Sequence, residues 1–154
     1  MATTTFPIPR TTQSPFPSRP RLLFLDDSTR RIHSALRQYS EKYELTIVAN
    51  VVETLRQLSS NGWDIVSLDH DLNGYDFQDP DLPTCGMEVV RYLEKTGWPE
   101  IKPKPEFWVH SSNIFAANMM VLRLKKIGLD AYWRRFVYDE VVEHMTYDKD
   151  GFPK

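Results

Sequence analysis

Short apolar runs alternate with amphipathic segments over residues 21–128, and this alternation predicts strands and helices in turn. Runs rich in aliphatic and aromatic residues are typical of buried strands, and they occur at 21–25, 45–49, 65–68 and 107–109. Between the runs, apolar residues recur three or four positions apart, as on one face of a helix. Strands alternating with helices predict a parallel sheet that is covered on both faces.

Capping residues and apolar spacing bound the four predicted helices. The first can begin at Ser28 or Thr29, the second is closed by Asn61-Gly62, and the fourth is expected over 114–126, before Gly128. The expected apolar positions are Ile32, Leu36, Tyr39 and Tyr43 for the first helix, Val52, Leu55 and Leu58 for the second, and Met87, Val90 and Leu93 for the third.

The whole pattern predicts an α/β fold, a flavodoxin-like doubly wound sheet with strand order 2-1-3-4-5. Residues 130–144 fit either a fifth strand or a helix. We expect a single domain over 21–144, preceded by a Pro/Thr/Ser-rich disordered leader at 1–20 and followed by a tail at 145–154.

Composition limits the compartment and the class of partner. The chain has 154 residues and a net charge of -2, so bulk charge does not make it a binder of polyanions. The single cysteine, Cys85, fits a reducing compartment and is expected to cap or pack rather than to act as a nucleophile. No apolar run approaches the roughly 20 residues of a membrane span. We therefore expect a cytoplasmic protein without a membrane partner.

Polar clusters follow three of the predicted strands. They are Asp26-Asp27, Asp69-His70-Asp71 and His110-Ser111-Ser112-Asn113. In open α/β sheets, ligands bind at the carboxyl ends of the strands. With strand order 2-1-3-4-5 these three strand ends are neighbours, so we expect the clusters to meet in one crevice.

The carboxylates of Asp26, Asp27, Asp69 and Asp71 predict a site for a divalent cation. Like charges in one small pocket raise each other's pKa unless a cation compensates them, and dense oxygen ligands suit Mg²⁺, Mn²⁺ or Ca²⁺. The alternative for Asp26 and Asp27 is that they only favour the dipole at the start of the first helix.

The two histidines at strand ends, His70 and His110, are the candidate proton-transfer groups. Ser111, Ser112 and Asn113 precede a helix whose free amides can bind a phosphate, although Asn113 also fits a simple N-cap. His33 and His144 are expected to be structural or exposed.

The segment Trp133-Arg134-Arg135 interleaves aromatic and basic residues. Such a patch can stack a base and hold a phosphate, which makes these residues possible nucleotide contacts. The alternative is an amphipathic element of the core with a solvated arginine face.

These residues carry a family resemblance over about 21–128. Leu-Phe-Leu-Asp-Asp and Asp69 resemble the acidic site of response-regulator receiver domains, in which Asp69 would match the phosphoacceptor and Ser111 or Ser112 the hydroxyl after strand four. Receivers carry a lysine at the end of strand five, and no lysine follows a plausible strand here. Asp69-His70-Asp71-Leu72 and His110-Ser111-Ser112-Asn113 are instead similar to the cyclic-phosphate processing receiver domain family.

That resemblance implies a metal-dependent phosphoesterase that opens a cyclic phosphate, either a 2′,3′-cyclic RNA end or a cyclic nucleotide, in RNA repair or nucleotide signalling. The cofactor would be Mg²⁺ or Mn²⁺, with His110 as base, His70 as acid, and Asp69 as an alternative nucleophile. The non-enzymatic alternatives are a phosphoacceptor switch at Asp69 and a module that binds a nucleotide or RNA end. A protein partner is left unspecified.

Overall fold

The computed structural model describes residues 18–60, 62–74 and 77–134, in which strands and helices alternate. The elements are β1 (Arg21–Leu25), α1 (Thr29–Tyr39), β2 (Glu44–Val48), α2 (Val51–Ser60), β3 (Ile65–Leu68), α3 (Met87–Thr96), β4 (Glu106–Val109), α4 (Ile114–Lys126) and β5 (Ala131–Trp133). The segment left open between strand and helix therefore begins with a strand.

The five strands form one parallel sheet in the order β2-β1-β3-β4-β5. This confirms the predicted flavodoxin-like fold. Leu25 pairs with Leu68, which pairs with Val109, so β1, β3 and β4 end side by side. The pairing continues one step further, because Asp69 N–H donates to the Leu25 carbonyl at 3.1 Å.

Each strand directs alternate side chains to opposite faces of the sheet. Leu23 and Leu25 of β1 belong to the larger core cluster, which packs beneath α2, α3 and α4, whereas Leu22 and Phe24 belong to the smaller cluster beneath α1. Asp26 follows Phe24 by two residues and so continues the face that α1 covers. This alternation decides which polar groups can meet at the sheet edge.

Two helices bury some of the predicted positions, such as Tyr39 of α1 and Leu58 of α2, and expose others. Leu36 of α1 is 43% exposed and Val52 of α2 is 67% exposed, while Ala35 and Thr54 are buried. The spacing identified both helices correctly. The faces that pack against the sheet, however, include smaller side chains, Ala35 and Thr54, in place of the predicted Leu36 and Val52. Small residues at these positions let the helices lie close to the strands.

Parts of the expected domain organisation lie outside the described residues. These include residues 1–17 of the leader, the whole of 145–154, and residues 135–144 with His144. Among the described residues, no helix has both the length and the apolar character needed to span a membrane.

Candidate functional site

Three carboxylates converge where β1 and β3 end. Asp26, Asp27 and Asp69 each offer an oxygen, and these oxygens lie within 4.8 Å of one another. We call these three residues the acidic pocket. Asp26 and Asp69 are almost fully buried, and Asp27 is partly exposed. The structure does not bring Asp71, the fourth predicted ligand, into this group.

Arg31 of α1 fills the acidic pocket with a guanidinium. Its Nε donates to Asp26 Oδ2 at 2.6 Å, and its Nη2 bridges Asp26 Oδ1 at 3.0 Å and Asp69 Oδ2 at 2.8 Å. The remaining Asp69 oxygen accepts from the backbone N–H of His70, and Asp26 Oδ1 also accepts from that of Ser28. Asp26 and Asp69 are therefore each held by donors on both oxygens.

His110 reaches the same pocket from the end of β4. Its Nε2 lies 3.1 Å from Asp26 Oδ2, and its Nδ1 lies 2.7 Å from the hydroxyl of Ser67 on β3. The ring stacks on Phe24, with centroids 4.4 Å apart and planes 5° from parallel. Because an ionised carboxylate can only accept, Nε2 carries the hydrogen in this contact. The imidazole is thus fixed in position and in proton placement.

The pocket gives its two buried carboxylates opposite pKa shifts. Burial raises the pKa of Asp26, but His110 and Arg31 more than compensate and hold it below its usual 3.8. Burial and the neighbouring charge of Asp26 raise the pKa of Asp69 to about 6, against the opposing effects of His110 and Arg31. Asp69 is consequently the carboxylate that exchanges a proton near neutral pH.

His70 lies outside the acidic pocket and faces the other side of the sheet edge. Its Nδ1 is 2.7 Å from Asp71 Oδ1, and its buried Nε2 has no hydrogen-bond partner among the described residues. Burial alone would lower the pKa of His70, but Asp71 and the thiol of Cys85 raise it to about 9. His70 thus interacts with residues near both ends of the connection between β3 and α3, Asp71 and Cys85.

Asp71 forms hydrogen bonds both within the connection between β3 and α3 and to the start of α4. Its carboxylate accepts from the backbone N–H groups of Phe77 and Gln78, both at 2.9 Å, and from Asn113 Nδ2 at 3.4 Å. These donors lower the pKa of Asp71 despite its partial burial, with His70 contributing most. Asp71 therefore acts here as an anchor between the loop and the site.

The residues expected to bind phosphate surround the start of α4. Asn113 is the N-cap, its Oδ1 accepting from the Ala116 N–H at 3.2 Å. Ser111 is buried and accepts from the Asn113 N–H at 3.2 Å, while Ser112 is exposed. The capping alternative for Asn113 is thus realised in the structure.

The possible nucleotide contacts lie beside β5. Trp133 Nε1 donates to the carbonyl of Ser111 at 3.2 Å, and the Arg134 guanidinium lies 3.9 Å from the ring centroid of Trp108. Trp133 packs against the larger core cluster. Arg135 lies outside the described residues.

The donor set of the acidic pocket fits a hard divalent cation. Mg²⁺ and Mn²⁺ prefer carboxylate oxygens, and three such groups converge here. Asp26, Asp27 and Asp69 are the residues that would hold the ion. Arg31 occupies oxygens of two of them, so the carboxylates are compensated by an internal charge.

Comparison with known protein families gives a match over residues 21–126 to the model described as "Cyclic-phosphate processing Receiver domain". The match spans more than half of the chain. The chain belongs to the cyclic-phosphate processing receiver domain family. No curated protein matches it.

Solved receiver structures share the fold of this family member. A CheY-like receiver domain protein from Methanospirillum hungatei aligns with a TM-score of 0.54 and 21% identity, over 75% of this chain and 81% of that one. TrrA from Thermotoga maritima, in complex with Mg²⁺-BeF, gives 0.52 and 21%, over 79% and 92%. A response regulator from Burkholderia pseudomallei, with a phosphorylated aspartic acid, calcium and citrate, gives 0.53 and 16%, over 74% and 58%.

Two residues of this receiver domain's pocket were missed from the sequence, Arg31 and Ser67. A signal for Arg31 was present, because the first turn of α1 carries no acid, and a cation there opposes the helix dipole. A counter-charge stabilises an arginine at such a position, and the acids Asp26 and Asp27 come shortly before the helix. Ser67 interrupts an apolar strand, and a buried hydroxyl needs a hydrogen-bond partner.

Proposed function

We propose that the protein is a phosphoesterase that opens a cyclic phosphate, such as a 2′,3′-cyclic RNA end or a cyclic nucleotide, with Mg²⁺ or Mn²⁺ as cofactor. The observation that carries this proposal is the His110 imidazole, which points into the acidic pocket and contacts Asp26. A titratable group beside carboxylates at a ligand-binding edge has the chemistry that phosphoester cleavage requires. The family description supports the choice of a cyclic substrate.

In this proposal His110 transfers protons at phosphorus: its Nε2, which lies 3.1 Å from Asp26 Oδ2, exchanges that contact for one with the substrate or the attacking water when the ligand binds. It takes the proton of the attacking water, in keeping with the base predicted from the sequence, and returns a proton to the ring oxygen that leaves phosphorus. One P–O bond forms, one ring P–O bond breaks, and a phosphate monoester with a free hydroxyl results.

The remaining predicted residues take supporting parts in this proposal. A divalent cation on the carboxylates supplies positive charge for the phosphoryl oxygens. The start of α4, with Ser111, Ser112 and Asn113, directly follows His110 in the chain and can contribute amide or hydroxyl donors to the same phosphate. His70 is buried against Asp71, which favours a positioning part rather than the acid predicted for it.

The test uses a matched pair of histidine variants. Purified protein with Mg²⁺ or Mn²⁺ is incubated with 2′,3′-cyclic CMP, a short RNA with a 2′,3′-cyclic end, and 3′,5′-cyclic nucleotides, and products are followed by ³¹P NMR. We expect His110→Gln to lower turnover about 100-fold or more, the usual contribution of acid–base catalysis. His33→Gln is the control, because His33 is exposed on α1 away from the pocket.

The proposal fails if no cyclic phosphate is opened, or if His110→Gln turns over as fast as His33→Gln. Tight binding of the RNA end without turnover would instead identify a binding module. Trp133→Ala and Arg134→Ala, each compared with wild type, would then show whether the β5 segment contacts the nucleotide.

A phosphoacceptor switch at Asp69 is the second candidate. Asp69 follows β3, and Arg31 places a cation 2.8 Å from its Oδ2 although no lysine follows a predicted strand. In this case acetyl phosphate would label the protein, Asp69→Asn would abolish the label, and no cyclic substrate would be consumed. Mass spectrometry of the intact chain distinguishes this outcome from hydrolysis.

A further inference from the structure

Arg31 already provides the acidic pocket with a cation. Its side chain is only 20% exposed, and its donors contact both Asp26 and Asp69 at 2.6 to 3.0 Å. One nitrogen, Nη2, lies between the two carboxylates and bridges them. The guanidinium thus occupies the position between acidic groups that a shared cation needs.

A divalent ion held by the acidic pocket would need oxygens of Asp26 and Asp69, the two carboxylates that already accept from Arg31. The third member of the pocket, Asp27, accepts a hydrogen bond from the Gly74 N–H and lies with its oxygen near the other two. An ion that used oxygens from all three residues would meet the positive charge of Arg31 at the two bridged carboxylates. Two positive charges bound to the same pair of carboxylates repel each other strongly where water is largely excluded.

We propose that Arg31 is a built-in counter-cation that a divalent ion must displace, and that the displaced guanidinium then binds the phosphoryl oxygens of the ligand. Before displacement, the arginine donors are taken up by Asp26 and Asp69 and the pocket is net negative, so a phosphate is repelled. Afterwards, the charges of the ion and of Arg31 together neutralise the three carboxylates. The displaced guanidinium can then donate two parallel hydrogen bonds to the phosphate. Phosphate binding thereby depends on prior metal binding. This deepens the proposed function, on which the identity of the ligand rests.

The first test measures metal affinity without turnover. Mg²⁺ and Mn²⁺ are titrated calorimetrically into wild type, Arg31→Gln, Arg31→Lys and the control Arg37→Gln, which removes the same charge from an exposed site near the end of α1. Losing hydrogen bonds between a charged donor and carboxylates corresponds to roughly 10- to 100-fold in an equilibrium. We expect Arg31→Gln to bind metal tighter by about that factor, Arg31→Lys to lie between, and Arg37→Gln to equal wild type.

The second test begins with wild-type protein, so its NMR readout does not depend on whether a variant folds. The Arg31 Nε–H, hydrogen-bonded to Asp26, gives a resolvable ¹⁵N–¹H NMR signal. Mg²⁺ should shift this signal and speed its exchange with water at the same concentrations at which it shifts the Asp69 carboxyl carbon. Inorganic phosphate should bind measurably only with Mg²⁺ present, and Arg31→Gln should weaken that binding at least 10-fold.

The displacement model is wrong if Arg31→Gln binds metal no tighter than Arg37→Gln, or if Mg²⁺ moves the Asp69 signal and leaves the Arg31 Nε–H unchanged. If inorganic phosphate binds equally well with and without Mg²⁺, the proposal that phosphate binding depends on prior metal binding is wrong. Each readout is a binding measurement. A protein that passes these tests and opens no cyclic phosphate would therefore refute the proposed hydrolysis and leave the role of Arg31 intact.

Discussion

Gly86 lies directly against the backbone of Asp69. A Cβ at residue 86 would be 1.8 Å from the Asp69 carbonyl oxygen, and the Gly86 N–H donates to the His70 carbonyl at 2.8 Å. The backbone of Gly86, at the start of α3, thus fixes where β3 ends. The position of the central carboxylate in the acidic pocket depends on the absence of this one side chain.

We expect Gly86→Ala to destabilise the fold and to displace Asp69. The clash involves backbone atoms, so relief requires movement of α3 or of the β3 end, and overpacking of this kind costs about 1–3 kcal/mol or more. Gly62→Ala is the control, since a Cβ at residue 62 meets nothing within 4 Å. Urea unfolding of both variants gives the free energies. Equal stabilities for the two alanine variants would contradict the close packing.

Ser67→Ala should remove the support of His110. The substitution leaves the buried Nδ1 of His110 without the hydroxyl that lies 2.7 Å away, and an unsatisfied buried polar group costs about 1–3 kcal/mol. Thermal or urea unfolding measures this loss, and ¹⁵N NMR of the imidazole reports whether the hydrogen placement changes. Ser59→Ala, which removes an exposed hydroxyl bonded to the Leu55 carbonyl, should change stability by less than about 0.5 kcal/mol.

Asp69→Asn should remove the pH dependence of stability to which Asp69 contributes near neutral pH. The pKa of Asp69 is about 6 in the folded protein against 3.8 ordinarily, so folding favours the protonated carboxyl. Its contribution to stability is complete below pH 4 and is lost as the pH rises through about 6. Relative to wild type, the asparagine variant should therefore lose less stability between pH 4 and 7.

Urea unfolding at pH 4, 5.5 and 7 checks that pH dependence. The difference between Asp69→Asn and wild type should grow across this range. Ser59→Ala, which changes no titratable group, provides the control and should show no such growth. A wild-type protein that gains stability relative to Asp69→Asn between pH 4 and 7 would show that the carboxylate form is favoured instead.

Asp71→Asn should lower the pKa of His70. In wild type, Asp71 and Cys85 hold this pKa at about 9 in spite of burial, so His70 is protonated at pH 7. A pKa raised above 6.5 contributes stability that is present below that pH and is lost as pH rises through about 9. NMR titration of the imidazole carbons measures both proteins. The exposed His33 gives an internal comparison, and an unchanged His70 titration would exclude the Asp71 contact.

The strand pattern of the sequence was sufficient for the fold. Short apolar runs, each followed by a helical period, permit few topologies once crossovers are right-handed, and β3 falls at its predicted bounds. The convergence of Asp26, Asp69 and His110 follows from that strand order. Side-chain alternation also separates His70 from this group, since adjacent residues at a strand end face opposite ways.

The position of Arg31 in the acidic pocket was harder to predict from the sequence. Arg31 lies on a helix, and its contact with Asp69 depends on the angle at which α1 crosses the sheet. The rotation of α1 that exposes Leu36 and buries Ala35 also turns Arg31 toward the strand ends. Apolar spacing identifies a helix with greater certainty than its rotation, because several faces carry similar residues.

Asp26 and Arg31 are separated by only four residues, although they form the centre of a site assembled from β1, β3 and β4. Contacts so close along the chain close a small loop and can form before distant strands associate. The β1–α1 segment can therefore enter folding with its acid already neutralised. When β3 then pairs with β1, the Asp69 carboxylate meets the guanidinium of Arg31, which is already held by Asp26. In this order of folding, the Asp69 carboxylate is not buried without a counter-charge.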